Sequence, residues 1–400
     1  ASIMKATRRA LDINYAIADM VFPMRELEAQ GHEVLKLYIG DPNKFDFKTP
    51  QVMKDALCRA AETCDHGYTE TEGVWELREA VAEREHRKNK LTIGPEDVYI
   101  TAGVTESLQM TMATILNKGD EILLPGPGYP PYNLFIQFYE GVPVHYRANE
   151  EDGWQPDLDD LRKKINDRTR AIVVINPNNP TGAVYDRKTL QEMVDIAGEH
   201  DVMLISDEIY DMLTYEGEHT SPATFAKDVP VMVFNGFSKV YLVPGWRVGY
   251  MAIADETGVL DEVRDGIVRQ LGLRISANAP AQVAAAETLR GDLSFLEGYR
   301  STLKERSHYA WKRLNQMPGI SAVRPKSAFY IFPKIECDFW KDDKQFVMDA
   351  LKEAHVVLVP GSGFDPDHGK GHFRSVTLPP IEIQEKAFNW LEEFMIKRCL

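Results

Sequence analysis

Residues 231–250 read VMVFNGFSKVYLVPGWRVGY, and the whole chain is organised around them. The apolar run VMVF predicts a short buried strand, and RVGYMAI from residue 247 predicts a second. Lys239 therefore falls on a loop between two strands of a packed sheet. Arg247 follows it at a spacing of eight, inside Gly-Trp-Arg-Val-Gly. An amine held there is partly desolvated and close to a fixed cation. Both effects lower a lysine pKa and leave more of the free amine, the form that attacks a carbonyl. The plain alternative is a surface lysine in a connecting loop, where most lysines are found. The surrounding motifs decide between the two.

Working outward, MLISDEIY (203–210) predicts a strand with Asp207 at its carboxyl end and Tyr210 three residues on. Asp207 also suits a helix N-cap before IYDML. AIVVIN (171–176) is an apolar strand running into NPNNPTG. EILLPG (121–126) is a further buried strand, ending in a Pro/Gly turn before Tyr129. VYIT (98–101), then Gly103, then a stripe of Leu108, Met112, Ile115 and Leu116 predicts strand, tight turn and helix. A helix N-terminus after such a turn exposes free N–H groups, so Gly103, Val104 and Thr105 are candidate phosphate donors. Strands alternate with helices from about 50 to 290. That pattern predicts an α/β fold with a mostly parallel sheet covered by helices on both faces. Ligands of such sheets bind beyond the carboxyl ends of the strands.

SKVYLVPGWRVGY, taken with NPNNPTG and DEIY, resembles the lysine segment of the class I, fold type I aminotransferases, nearest their archaeal and bacterial alanine aminotransferase branch. The resemblance covers nearly the whole chain and implies pyridoxal phosphate as cofactor, held as an imine by Lys239. It implies that Asp207 faces the pyridine nitrogen and keeps it protonated, and that Tyr210 donates to the phenolic oxygen of the ring. Asn179 would donate to the same oxygen and lie near a substrate carboxylate, with a cis bond to Pro180. Arg247, Ser238, Gly103, Val104 and Thr105 would hold the phosphate, and Tyr129 would lie on the ring. Tyr68, in a Tyr68…Gly73…Leu77-Arg78 pattern, would reach the phosphate of the other subunit of a homodimer with shared active sites. The substrate side would have Gly40 close to the substrate carboxylate, Arg374 gripping that carboxylate in a two-pronged pair, and Tyr15 edging the pocket or packing in the core. Arg274 would approach the substrate from the other subunit, or be an ordinary exposed arginine. Two positions depart from many relatives: Gly236 stands where a hydroxyl residue is common, and Ser327 where glycine is common.

The 400 residues leave ample length for a large core and for two domains. The expected division is a large cofactor domain at 46–295 and a smaller α/β domain made from 1–45 and 296–400. A net charge of −15 argues against nucleic acid or an anionic membrane as the main partner. No apolar run reaches about 18 residues, so no membrane span is expected. The first residues lack a signal-peptide core, which predicts a cytoplasmic protein. Cys58, Cys64, Cys337 and Cys399 form no CxxC pair and are expected as reduced thiols. The ten histidines show no HExxH, so no metal site is expected. Neither a GxGxxG fingerprint nor a Walker A loop occurs. The expected reaction is L-alanine with 2-oxoglutarate giving pyruvate and L-glutamate, by ping-pong transfer. The alternatives are broader action on aspartate, branched-chain or aromatic amino acids, and a lyase on the same fold. A regulatory protein of this fold would need a DNA-binding appendage, for which the chain has no room.

Overall fold

The computed structural model describes residues 3–400. In chain order the first nine strands are β1 (Leu35–Lys36), β2 (Val98–Thr101), β3 (Glu121–Gly126), β4 (Val142–Asn149), β5 (Gln155–Pro156), β6 (Thr169–Ile175), β7 (Met203–Asp207), β8 (Val231–Gly236) and β9 (Gly249–Ala254). β2 to β9 form one sheet in the order β2-β9-β8-β7-β6-β3-β4-β5. The centre is parallel, from β8 through β7, β6 and β3 to β4. β9 runs antiparallel to both β8 and β2, and β5 antiparallel to β4.

The middles of the central strands are apolar on both sides because both faces of the sheet are covered. Side chains alternate across the sheet. Ile172, Val174, Leu204, Val231 and Val233 enter one core. Ala171, Val173, Ile175, Ile205, Met232 and Phe234 enter another on the opposite face. The helix Val104–Ile115 buries Leu108, Met112 and Ile115, as its stripe predicts.

A smaller unit carries a third core. Met20, Met24, Leu35 and Leu37 pack there with Leu314, Ile331, Phe346, Val357, Phe373, Phe388 and Leu391. β1 pairs in parallel with Val356–Val357, so the front of the chain joins the back. Phe373–Val376 lies between Tyr330–Ile331 and Val359–Pro360, antiparallel to each. Two long helices, Phe295–Gln316 and Ile381–Cys399, complete this region.

Some expectations fail. The spacing of Tyr15, Ile17, Val21 and Phe22 predicts one face of a front helix, but the helix, Ala18–Ala29, buries Met20 and Met24 instead. Tyr15 and Phe22 are 71% and 75% exposed. The strand expected from Arg247 begins at Gly249, because Arg247 has φ +51°, a left-handed conformation no strand contains. Cys337 and Cys399 are not free thiols: they form a disulfide closing 62 residues of sequence, with Cα atoms 5.7 Å apart. The last helix docks on the strand region and brings together two cysteines that no local spacing connects. Cys58 and Cys64 are free. Among the described residues, no helix is long and apolar enough to cross a membrane.

Candidate active site

Lys239 sits on the loop after β8, beyond the carboxyl ends of the parallel strands. Its Nζ donates to the Gly40 carbonyl at 2.7 Å. Tyr299 donates to the Lys239 carbonyl at 2.9 Å and fixes the loop. Burial is the main force on the amine, and Arg374 and Arg247 add to it. Together they bring its pKa down to about 8, against the opposing pull of Asp41. The surface-lysine alternative is therefore rejected.

Asp207 ends β7 and continues the parity of Met203 and Ile205. Its Oδ2 accepts from the Tyr132 hydroxyl at 2.8 Å, and its Oδ1 accepts from the Ile209 amide at 3.2 Å. The helix expected from IYDML is a single turn, Asp211–Leu213, capped by Tyr210, so Asp207 caps no helix. Buried without a cationic partner, it is pushed up to about 6 by desolvation. A carboxylate placed so calls for a bound cation.

Arg374, on Phe373–Val376, donates to Asn179 Oδ1 at 3.2 Å and to the Tyr38 carbonyl at 3.0 Å. Its Nε is buried with no partner. Its guanidinium lies over the rings of Tyr330 and Phe364, at 4.7 and 5.0 Å. Among the described residues no carboxylate pairs with it, so it is not taken up by a salt bridge within the chain. The Asn179–Pro180 bond is cis, as the resemblance implies.

The phosphate side is equally specific. Gly103 takes φ +82°, and a Cβ there would overlap the Arg247 guanidinium. A Cβ on Gly249 would come within 2.7 Å of the Gly103 carbonyl carbon. These two glycines let β9 press the arginine against the turn that opens the Val104–Ile115 helix. Arg247 donates to Ser238 Oγ at 3.4 Å and to the carbonyls of Pro244 and Ala102 at 3.0 and 3.3 Å. It too has no carboxylate partner among the described residues. Gly103, Val104 and Thr105 stand at the helix N-terminus beside it. Tyr129, just before the Pro130–Phe138 helix, is half-buried, and desolvation pushes its phenol up to about 12. Tyr210 is buried with its hydroxyl 2.7 Å from that of Tyr330.

Other expected residues stand apart. Tyr68 is 83% exposed and Tyr15 71%, and among the described residues neither hydroxyl makes a hydrogen bond. Arg274 is partly buried and bonds Glu106 at 3.1 Å and the Ile100 carbonyl at 2.7 Å, so it is not an ordinary exposed arginine. Ser327 is buried and gives its hydroxyl to the Gly182 carbonyl at 3.1 Å. Gly236 has little room for a side chain, since a Cβ would lie 3.0 Å from the Val248 carbonyl. At Gly40 the group excluding a side chain is the Tyr330 hydroxyl, 3.0 Å from where a Cβ would be.

Sequence reasoning missed Tyr132, Tyr330 and Glu208. Each is a polar residue inside an apolar stretch, and a buried tyrosine hydroxyl needs a partner. Glu208 is fully buried, accepts from Ser206 and Ser221 hydroxyls at 2.8 and 2.6 Å, and is raised to about 8 by burial. Glu208, Asp211 and His219 form the one metal-like cluster found among the described residues. The Lys88 ammonium already stands there, 2.8 Å from His219 Nδ1 and 3.7 Å from Asp211.

Taken together, a low-pKa buried amine, an unpaired buried carboxylate and an arginine cradle at a helix N-terminus fit pyridoxal phosphate. The comparisons agree. The family described as aminotransferase class I and II matches residues 32–384. The alanine aminotransferase of Mycobacterium tuberculosis H37Rv is 38% identical, over 97% of this chain and 94% of that protein. The glutamate-pyruvate aminotransferase AlaA of Escherichia coli K12 is also 38% identical, over 93% and 92%. The solved alanine aminotransferase from Pyrococcus furiosus superposes with a TM-score of 0.97 at 56% identity, covering 98% of this chain and 100% of that one. Both the fold and the donor set place this protein among pyridoxal-phosphate enzymes: the chain belongs to the class I and II aminotransferases.

Proposed function

We propose that this aminotransferase moves the amino group of L-alanine to 2-oxoglutarate, giving pyruvate and L-glutamate in two half-reactions. The observation carrying the reading is Arg374: a guanidinium with no carboxylate of its own, beside Asn179 and the Lys239 amine. The names of the relatives supply the choice of substrate pair.

Arg374 and Asn179 receive the α-carboxylate and orient the Cα–H bond toward Lys239. The Lys239 amine, once released from the Gly40 carbonyl, takes the α-proton and later returns a proton, acting as base and then acid. A pKa near 8 suits both tasks near neutral pH. Arg247, Ser238 and the Gly103–Thr105 turn hold the phosphate, and Tyr129 packs beside the ring. Asp207 supplies the negative charge that keeps a ring nitrogen protonated. Pyridoxal phosphate, when bound, supplies the electron sink for the pair left at Cα. Two chains act together in this reading, with Tyr68 serving the partner's site. The domain limits, 46–295 against 1–45 with 296–400, are part of the same proposal. Their support is the separate core built by Met20, Met24 and residues beyond 310.

The test is an assay with alanine and 2-oxoglutarate. Glutamate and pyruvate in equal amounts are expected. Ammonia release without glutamate would establish the lyase alternative, and faster turnover of aspartate or an aromatic amino acid would displace alanine as donor.

A further inference from the structure

We propose that Tyr330 is a positioning residue that donates its hydroxyl proton to Tyr210 and so sharpens Tyr210 as a donor toward the cofactor ring. The inference rests on the reading of Tyr210 given above and goes one residue beyond it.

Tyr330 lies in the run FYIF and is 2% exposed. Its hydroxyl oxygen is 2.7 Å from that of Tyr210, with the rings edge to face at 5.7 Å. Among the described residues it has no other hydrogen-bond partner. The direction of this bond follows from counting protons. A tyrosine has one O–H to give. If Tyr210 gives its proton to the phenolic oxygen of the ring, the bond between the two tyrosines can only run from Tyr330 to Tyr210. A hydroxyl that accepts one hydrogen bond becomes a stronger donor in the next.

Two further contacts hold Tyr330 in that role. Its hydroxyl occupies the space a side chain at Gly40 would need. Its ring face carries the Arg374 guanidinium at 4.7 Å. One residue thus touches the arginine for the substrate carboxylate and the tyrosine for the cofactor. The charged and titratable neighbours are Arg374, Asp41, Tyr129 and Tyr299 for Tyr330, and Tyr129 and Arg374 for Tyr210. The variant Tyr330→Phe removes the donated proton and leaves those neighbours and the ring stack in place.

A stronger donor at the ring oxygen stabilises the form of the bound chromophore that has lost its imine proton. The measurement is the pH midpoint of the visible band of the pyridoxal-phosphate-loaded enzyme. In Tyr330→Phe the midpoint should rise by about half a pH unit or more, the effect of losing one net hydrogen bond. The KM for alanine should stay close to wild type, whereas Tyr330→Leu, which also removes the stack on Arg374, should raise it. In a Tyr210→Phe background, Tyr330→Phe should add no shift, because its effect passes through Tyr210. A midpoint that answers to Tyr210→Phe but not to Tyr330→Phe overturns the proposal alone. A midpoint indifferent to Tyr210→Phe overturns the underlying reading and the proposal with it.

Discussion

At Lys239 desolvation and two nearby guanidinium groups act on one ammonium, and the amine is free above pH about 8. An unfolded lysine holds its proton to about 10.4. Between those values the unfolded chain binds the extra proton, so this residue makes stability rise with pH across that window, and its full penalty is present below it. Modification of Lys239 by an amine reagent, followed by mass spectrometry on the cofactor-free enzyme, should titrate with a midpoint near 8. A midpoint near 10 would mean a solvated ammonium. Arg374→Ala removes the fork for the substrate carboxylate. It should raise the half-reaction dissociation constant for alanine by about 100-fold, the loss of roughly 3 kcal/mol of charged hydrogen bonding. The visible band should survive, since Arg374 is not in the phosphate cradle. An unchanged constant would refute the carboxylate role. Lys239 and Asp207 were legible in the sequence because one follows and the other ends an apolar strand, whereas Asn179, Arg247 and Arg374 were read from the distinctive strings that carry the resemblance. Tyr132 and Tyr330 were not. Their value comes from a partner 75 and 120 residues away, and no local spacing encodes that.

At the scale of elements, the central strands were legible because they are apolar on both faces, as Ile172–Ile175 and Val231–Phe234 are. The front helix was misread because its buried methionines, Met20 and Met24, sit among other apolar residues that face outward. Which apolar stripe is covered depends on residues far along the chain, here Phe388, Leu391 and their neighbours. The Cys337–Cys399 bridge was illegible for the same reason. It pins the end of the Ile381–Cys399 helix to the strand region of the smaller unit. Loop-closure entropy over 62 residues gives the bridge a worth of about 4 kcal/mol. Replacing both cysteines by alanine should lower urea stability by roughly that amount and leave kcat near wild type. An unchanged urea midpoint would show that helix docking alone holds this end.

For the whole molecule, the exposure of Tyr68 leaves it available to a second copy. Tyr68→Ala should loosen the cofactor by about tenfold, the value of one hydrogen bond to a charged group. Coexpressing Tyr68→Ala with Lys239→Ala should restore one intact site in each mixed dimer. No recovery would confine every site to a single chain. Asp207 lacks a cation and Arg374 and Arg247 lack an anion, and that has an outcome beyond catalysis. Folding leaves these charges stranded until the coenzyme and substrate neutralise them, so binding raises stability by mass action. The cofactor-free protein is then the less stable form and the one more open to proteolysis, so the supply of coenzyme acts on its abundance as well as on its rate.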